Sequence, residues 1–76
     1  MQRIGHVLHV GSDKKLILKA EKTPQIGDKV VDESLKPVGT IFDIFGPVSS
    51  PYVSVKTKVK EPRDLVGHVL YASLQI

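Results

Sequence analysis

The chain has 76 residues, 41% of them hydrophobic and 25% charged, with no cysteine and a formal charge of +3. That length argues against a second domain, and the composition against a disordered chain, so residues 1–76 are read as one domain. Without thiols there are no disulfides, thiolate metal sites or cysteine nucleophiles, and a small core must hold a domain that buries only about 60% of its unfolded surface.

No apolar stretch approaches the roughly 20 residues that a membrane span needs, and Met1–Gly5 opens into a strand pattern rather than a signal peptide. The expectation is a soluble protein of a reducing, intracellular compartment, with no membrane partner. The basic residues are spread along the chain rather than gathered in a run, which favours a solvated surface over a phosphate footprint.

The dominant hydrophobic period is two, that of a pleated strand. In a first strand it places Ile4, His6, Leu8 and Val10 on one face, with Arg3, Gly5, Val7 and His9 on the other. Gly11-Ser12-Asp13 supplies a tight turn, with glycine as the residue that tolerates positive φ. A second strand follows over Lys15 to Ala20. Pro24 to Asp28 breaks the pattern, and a third strand begins near Lys29.

After the polar turn Asp32 to Pro37, Val38 to Phe45 is the strongest strand. Val38, Thr40, Phe42 and Ile44 alternate with Gly39, Ile41, Asp43 and Phe45, so both faces carry apolar groups. Tyr52 to about Val59 forms a fifth strand. Glu61-Pro62-Arg63-Asp64 suits a single helical turn, because proline and carboxylates favour its first positions. Val66 to Leu74 closes the chain. Six short strands with glycine and proline turns predict an all-β fold, a small closed or nearly closed antiparallel barrel.

Chemistry is hard to find. His6 and His9 are three apart, which on a regular strand sends them to opposite faces, and His68 has no carboxylate at ligand spacing, so no metal site is expected. Asp13, Asp28, Asp32, Glu33 and Asp64 fall mostly in turns, and Asp43 reads as an outward-facing residue on the barrel wall. The serines lack a nucleophile-elbow setting, and no glycine-rich phosphate loop opens a helix. The expectation is a protein that is not an enzyme and has no cofactor.

Two surfaces remain. Lys56, Lys58 and Lys60 alternate and would project from one strand face as a positive stripe able to follow a phosphate backbone, with only Tyr52 near to stack on a base. Phe45, Gly46, Pro47, Val48, Pro51 and Tyr52 form a loop that is too apolar for solvent. It either caps the barrel end or presents an anchor stiffened by two prolines, which lowers the entropy lost on binding.

At these residues the sequence resembles the GAR family, the small barrel subunit of box H/ACA ribonucleoproteins. The resemblance is carried by Val38-Gly39-Thr40-Ile41-Phe42-Asp43-Ile44-Phe45-Gly46-Pro47-Val48, then by Pro51-Tyr52-Val53 and Val55-Lys56. It extends more weakly through Ile4-Gly5, Leu8-His9, Asp28 to Asp32 and Val66 to Tyr71. The glycine-arginine-rich tails of the eukaryotic members are missing, so the chain is similar to an archaeal member or a eukaryotic core domain.

The resemblance implies a six-stranded barrel similar to those of translation factors and docking on a TruB-type pseudouridine synthase, called dyskerin in animals. It implies a noncatalytic subunit that supports RNA-guided pseudouridylation of rRNA by positioning a substrate loop and favouring turnover and release, with mostly indirect contact to the guide RNA. It nominates Phe45, Gly46, Pro47, Val48, Pro51 and Tyr52 as the interface, extended along the wall by Val38, Ile41 and Val53. The location implied is cytoplasmic for an archaeal protein and nucleolar for a eukaryotic core. Weak self-association through the exposed patch is a further expectation. The alternative is a free-standing RNA-binding barrel that uses the lysine stripe; ranked below it, within the same family, is an assembly factor that occupies the GAR position temporarily.

Overall fold

The computed structural model describes residues 2–73. Six strands form in chain order: β1 (Gln2–Val10), β2 (Leu16–Lys19), β3 (Lys29–Val31), β4 (Pro37–Phe45), β5 (Tyr52–Thr57) and β6 (Val69–Ser73). They close into a barrel in the order β1-β2-β5-β4-β3-β6, and every pair of neighbouring strands is antiparallel. Closure leaves no strand edge unpaired, which matters in a chain this apolar. A 3-10 turn over Pro62–Leu65 lies between β5 and β6, as the proline and acidic residues there predict. Leu74, assigned from sequence to the last strand, lies outside the described residues. No helix among the described residues is long and apolar enough to cross a membrane.

The barrel interior is filled by Ile4, Val7, Leu16, Leu18, Val30, Val38, Ile41, Val53, Val55, Leu70 and Ala72, with Val10, Ile44 and Leu65 packed against them. Burying each large aliphatic side chain is worth about 1.5–3 kcal/mol. These residues are therefore the main source of stability in a domain without cross-links.

Strict alternation fails on two strands, and bulges are the reason. In β1 the pairing shifts between Arg3 and Gly5 against β6, and between Val7 and His9 against β2. The inward residues are thus Ile4 and Val7, while His6 and Leu8 face solvent. In β4 the register slips between Pro37 and Gly39, which oppose Val31 and Val30 of β3, and between Ile41 and Asp43 against β5. An extra residue in a strand turns the following side chains to the other face. Val38, Ile41 and Ile44 consequently point inward at intervals of three, in place of the two faces expected from simple alternation.

The two tight hairpins share one backbone plan. In the first, Lys14 N–H donates to Gly11 O at 3.1 Å and Gly11 N–H to Lys15 O at 2.7 Å; in the second, Leu35 N–H donates to Asp32 O and Asp32 N–H to Lys36 O, both at 3.0 Å. The left-handed residues are Lys14 (φ 60°) and Leu35 (φ 66°), not the glycine that the sequence suggested for the first turn. The Asp32 carboxylate holds the second turn, its Oδ1 accepting from Ser34 N–H at 2.8 Å and Lys36 N–H at 3.0 Å. Asp32→Ala should cost about 1–2 kcal/mol by leaving both donors to water. In thermal melts that cost appears as a fall in Tm of about 4–8 °C per kcal/mol for a domain of this size.

Candidate functional site

Strands β4 and β5 run out of the barrel wall together and end in an apolar tip. Phe45 and Tyr52 are cross-strand partners in the last rung of that ladder. Their rings stack with centroids 5.8 Å apart and planes inclined by 21°. Gly46 follows with φ +89°, and a Cβ there would stand 3.0 Å from Tyr52 Cδ2, so glycine lets the chain turn directly over the tyrosine ring. Ser50 N–H donates to Pro47 O at 3.1 Å and closes the turn. Pro51 is buried at the base, where its carbonyl accepts from Ala20 N–H at 2.9 Å and ties the tip to the end of β2.

The outward surface of the tip is Phe45, Pro47 and Val48, with Tyr52 half-buried beside them. Phe45 is 44% exposed and Val48 is 97% exposed. A loop that merely capped the barrel would turn such a residue inward. This one projects it into solvent from a base fixed by a ring stack, a buried proline and a backbone hydrogen bond.

Three residues assigned from sequence to the same surface do not belong there. Val38, Ile41 and Val53 are at most 3% exposed and lie in the core, because the β4 bulges turn the first two inward and Val53 points into the barrel. Pro51 likewise shapes the tip from within and presents no outward surface. Sequence reading instead passed over Phe42, which is 51% exposed on the wall. Its ring lies 4.5 Å from the Lys15 ammonium, which also approaches Asp13 Oδ2 at 3.4 Å. An aromatic residue at the slip between Ile41 and Asp43 was the available signal, but alternation alone does not locate a bulge.

The lysine stripe is divided. Strand β5 ends at Thr57, so only Lys56 of the three stands on it. Lys58 lines a cleft with Lys29, Val30 and Pro37, whereas Lys60 lines a different one with Gly11, Lys14 and Arg63. Thr57 Oγ1 anchors the exit from the strand by donating to Val38 O at 2.8 Å and accepting from Val59 N–H at 3.1 Å.

The acidic residues act largely on the backbone. Asp28 Oδ2 accepts from Gln25 N–H at 2.9 Å, and exposed Asp43 accepts from its neighbour Ile44 N–H at 2.8 Å. Both His6 and His9 are exposed, and His68 Nδ1 lies 3.8 Å from Glu33 Oε1. No group of three or more histidine, aspartate or glutamate side chains among the described residues is placed to hold a metal ion.

Comparison with known proteins agrees with this architecture. A family model described as the Gar1/Naf1 RNA binding region matches residues 1–75. An uncharacterised protein of Methanothermobacter thermautotrophicus is 32% identical over 79 residues, covering 99% of this chain and 86% of that protein. The solved structure of the Gar1 domain of Naf1 superposes with a TM-score of 0.71 at 16% identity, covering 95% of this chain and 83% of the other, a likeness of fold.

Proposed function

Since the chain belongs to the Gar1/Naf1 family, we propose that it is a noncatalytic subunit of a box H/ACA ribonucleoprotein that docks on a TruB-type pseudouridine synthase and supports RNA-guided pseudouridylation of rRNA. The observation that supports the docking surface is the β4–β5 tip, with Phe45 stacked on Tyr52 and Val48 projecting into solvent. Aromatic anchors backed by a fixed frame are the usual energetic centre of a protein interface, because little ordering entropy is lost when they enter a pocket.

Pseudouridine formation requires a nucleophile and a pocket for the flipped base, and in this reading both belong to the synthase. The role of this chain is then to hold a mobile substrate loop of the synthase in place and to favour turnover and product release. Family membership supports that role through the position such a subunit occupies, and the described residues of this chain contribute shape rather than acid, base or nucleophile.

Calorimetric titration of the chain into a purified TruB-type guide synthase tests the reading, with guide RNA alone as the control. Saturable one-to-one binding to the synthase is expected. Heat only on addition of RNA would discard synthase docking and leave a free-standing RNA-binding barrel.

A further inference from the structure

The barrel wall over β3 and β4 carries an apolar groove that is separate from the tip. It encloses about 410 Å³ and lies where the register of β4 slips between Pro37 and Gly39. Val31 and Pro37 are cross-strand partners in its lining, and Val30 and Val38, whose side chains fill the core, lie beneath. Gly39 lines it with backbone alone. The tip stands at the far end of β4, since Thr40, which borders the groove, is separated from Phe45 by roughly 17 Å of strand.

Lys29 and Lys58 also line this groove, and no carboxylate among the described residues lines it with them. Both lysines are exposed, and the ion pairs among the described residues, Arg3–Glu21, Lys15–Asp13 and His68–Glu33, engage neither. They flank β4 on opposite sides. Lys29 pairs with Thr40 from β3, whereas Lys58, just beyond β5, donates its N–H to Val38 O at 3.4 Å. Strand spacing and rise place their Cα atoms roughly 12 Å apart across the apolar floor.

We propose that this groove seats an extended segment of a partner protein, whose aliphatic side chain enters between Lys29 and Lys58 while carboxylates two residues to either side meet the two lysines. In an extended chain residues i and i±2 share a face, and carboxylates four residues apart stand roughly 13 Å apart, which matches the lysines. The lining is aliphatic and holds no aromatic residue among the described ones, so a leucine, isoleucine or valine suits it. A wholly polar acidic segment would leave the apolar floor in water, and a wholly apolar one would crowd two ammonium groups without a counter-charge. The reading rests on the groove and its charges, and not on synthase docking. With one anchor at the tip and another site at the start of β4, the barrel would engage two protein segments at once.

The test is an NMR titration of the isotopically labelled chain with the capped peptide Glu-Ser-Leu-Ser-Glu, against one version with lysine in place of glutamate and another with serine in place of leucine. The first peptide is expected to shift the amides of residues 29–31, 38–40 and 58 and to leave those of Phe45 and Val48 unmoved. Each control peptide should bind about tenfold more weakly or worse, since it lacks either the charge pairing or the aliphatic anchor. Lys29→Gln combined with Lys58→Gln should weaken the first peptide by about tenfold and flatten its salt dependence, with Tm unchanged because both side chains are exposed.

Val48→Asp, at the other end of β4, should leave peptide affinity as it is. Absence of shifts at millimolar peptide, shifts confined to other residues, equal binding of either control peptide, or unchanged affinity on loss of both lysines would each overturn the proposal. Movement of the groove amides with the chain's own concentration, before any peptide is added, would assign the groove to a second copy and overturn it as well. Failure of the synthase titration would overturn docking at the tip instead, and the peptide titration reports on the groove either way.

Discussion

Gly39→Ala is expected to abolish the folded barrel, although it adds one methyl group at a position with an ordinary extended backbone. The Cβ would be driven into the carbonyl oxygen of Lys56, 2.8 Å from that carbonyl carbon and 3.0 Å from Thr57 Cα. All three are backbone atoms of the neighbouring strand, so no side chain can swing aside. Relief requires β4 and β5 to separate where Thr57 Oγ1 and Lys58 N–H both donate to Val38 O, at 2.8 and 3.4 Å.

We expect a loss above about 4 kcal/mol, the range that marks disrupted packing rather than local adjustment. A domain of this size has only about 4–11 kcal/mol in total. The loss should appear in circular dichroism as a missing or greatly lowered thermal transition. Gly67→Ala is the control: its φ is +88° but nothing lies within 4 Å of the added Cβ, so only backbone strain of about 1 kcal/mol applies. A Gly39→Ala protein as stable as Gly67→Ala would show that the β4–β5 ladder opens easily.

The strand succession was legible because each strand is short, β-branched or apolar, and bounded by glycine, proline or aspartate. What periodicity could not supply was the facing of β1 and β4. A bulge is set by which partner residue the backbone meets, as between Arg3 and Gly5, which oppose Tyr71 and Leu70, and that partner is distant in sequence. Turn chemistry misled in a similar way. The left-handed positions fell on Lys14 and Leu35, because the hairpin plan fixes which place in the turn takes positive φ, whatever residue stands there.

The apolar tip was visible as an aromatic and proline cluster with no polar residue to solvate it until Ser49. The cleft between the β1–β2 turn and the approach to the 3-10 turn was not visible, since the barrel must close before Lys14 comes to line one surface with Lys60 and Arg63. Alternation groups Lys56, Lys58 and Lys60 as one stripe, whereas the closed barrel leaves Lys56 on β5 and sends Lys58 and Lys60 to different clefts.

On the proposed docking, Phe45→Ala combined with Tyr52→Ala should raise the Kd for the synthase by roughly 100-fold or more, since buried aromatic anchors carry about 2 kcal/mol or more each and 1.4 kcal/mol is tenfold. The barrel should survive, because neither ring belongs to the core cluster. Loss of the stack and of the partly buried tyrosine lowers stability by a moderate amount, with about 0.5–1.5 kcal/mol from the ring pair itself.

Two further substitutions separate loss of an anchor from loss of tip shape. Val48→Asp touches a fully solvated side chain, so it should leave Tm unchanged and still weaken binding by placing a charge where a pocket must close. Phe42→Ala, on the wall, should change affinity little if the tip alone is the anchor. Substituting Val38, Ile41 or Val53 would test the core and not the interface, since those side chains are inside. Full binding by the double alanine variant would remove the tip from the interface. Equal losses for Phe42→Ala would spread the contact down the β4 wall, where the aromatic ring over Lys15 already offers a second apolar surface.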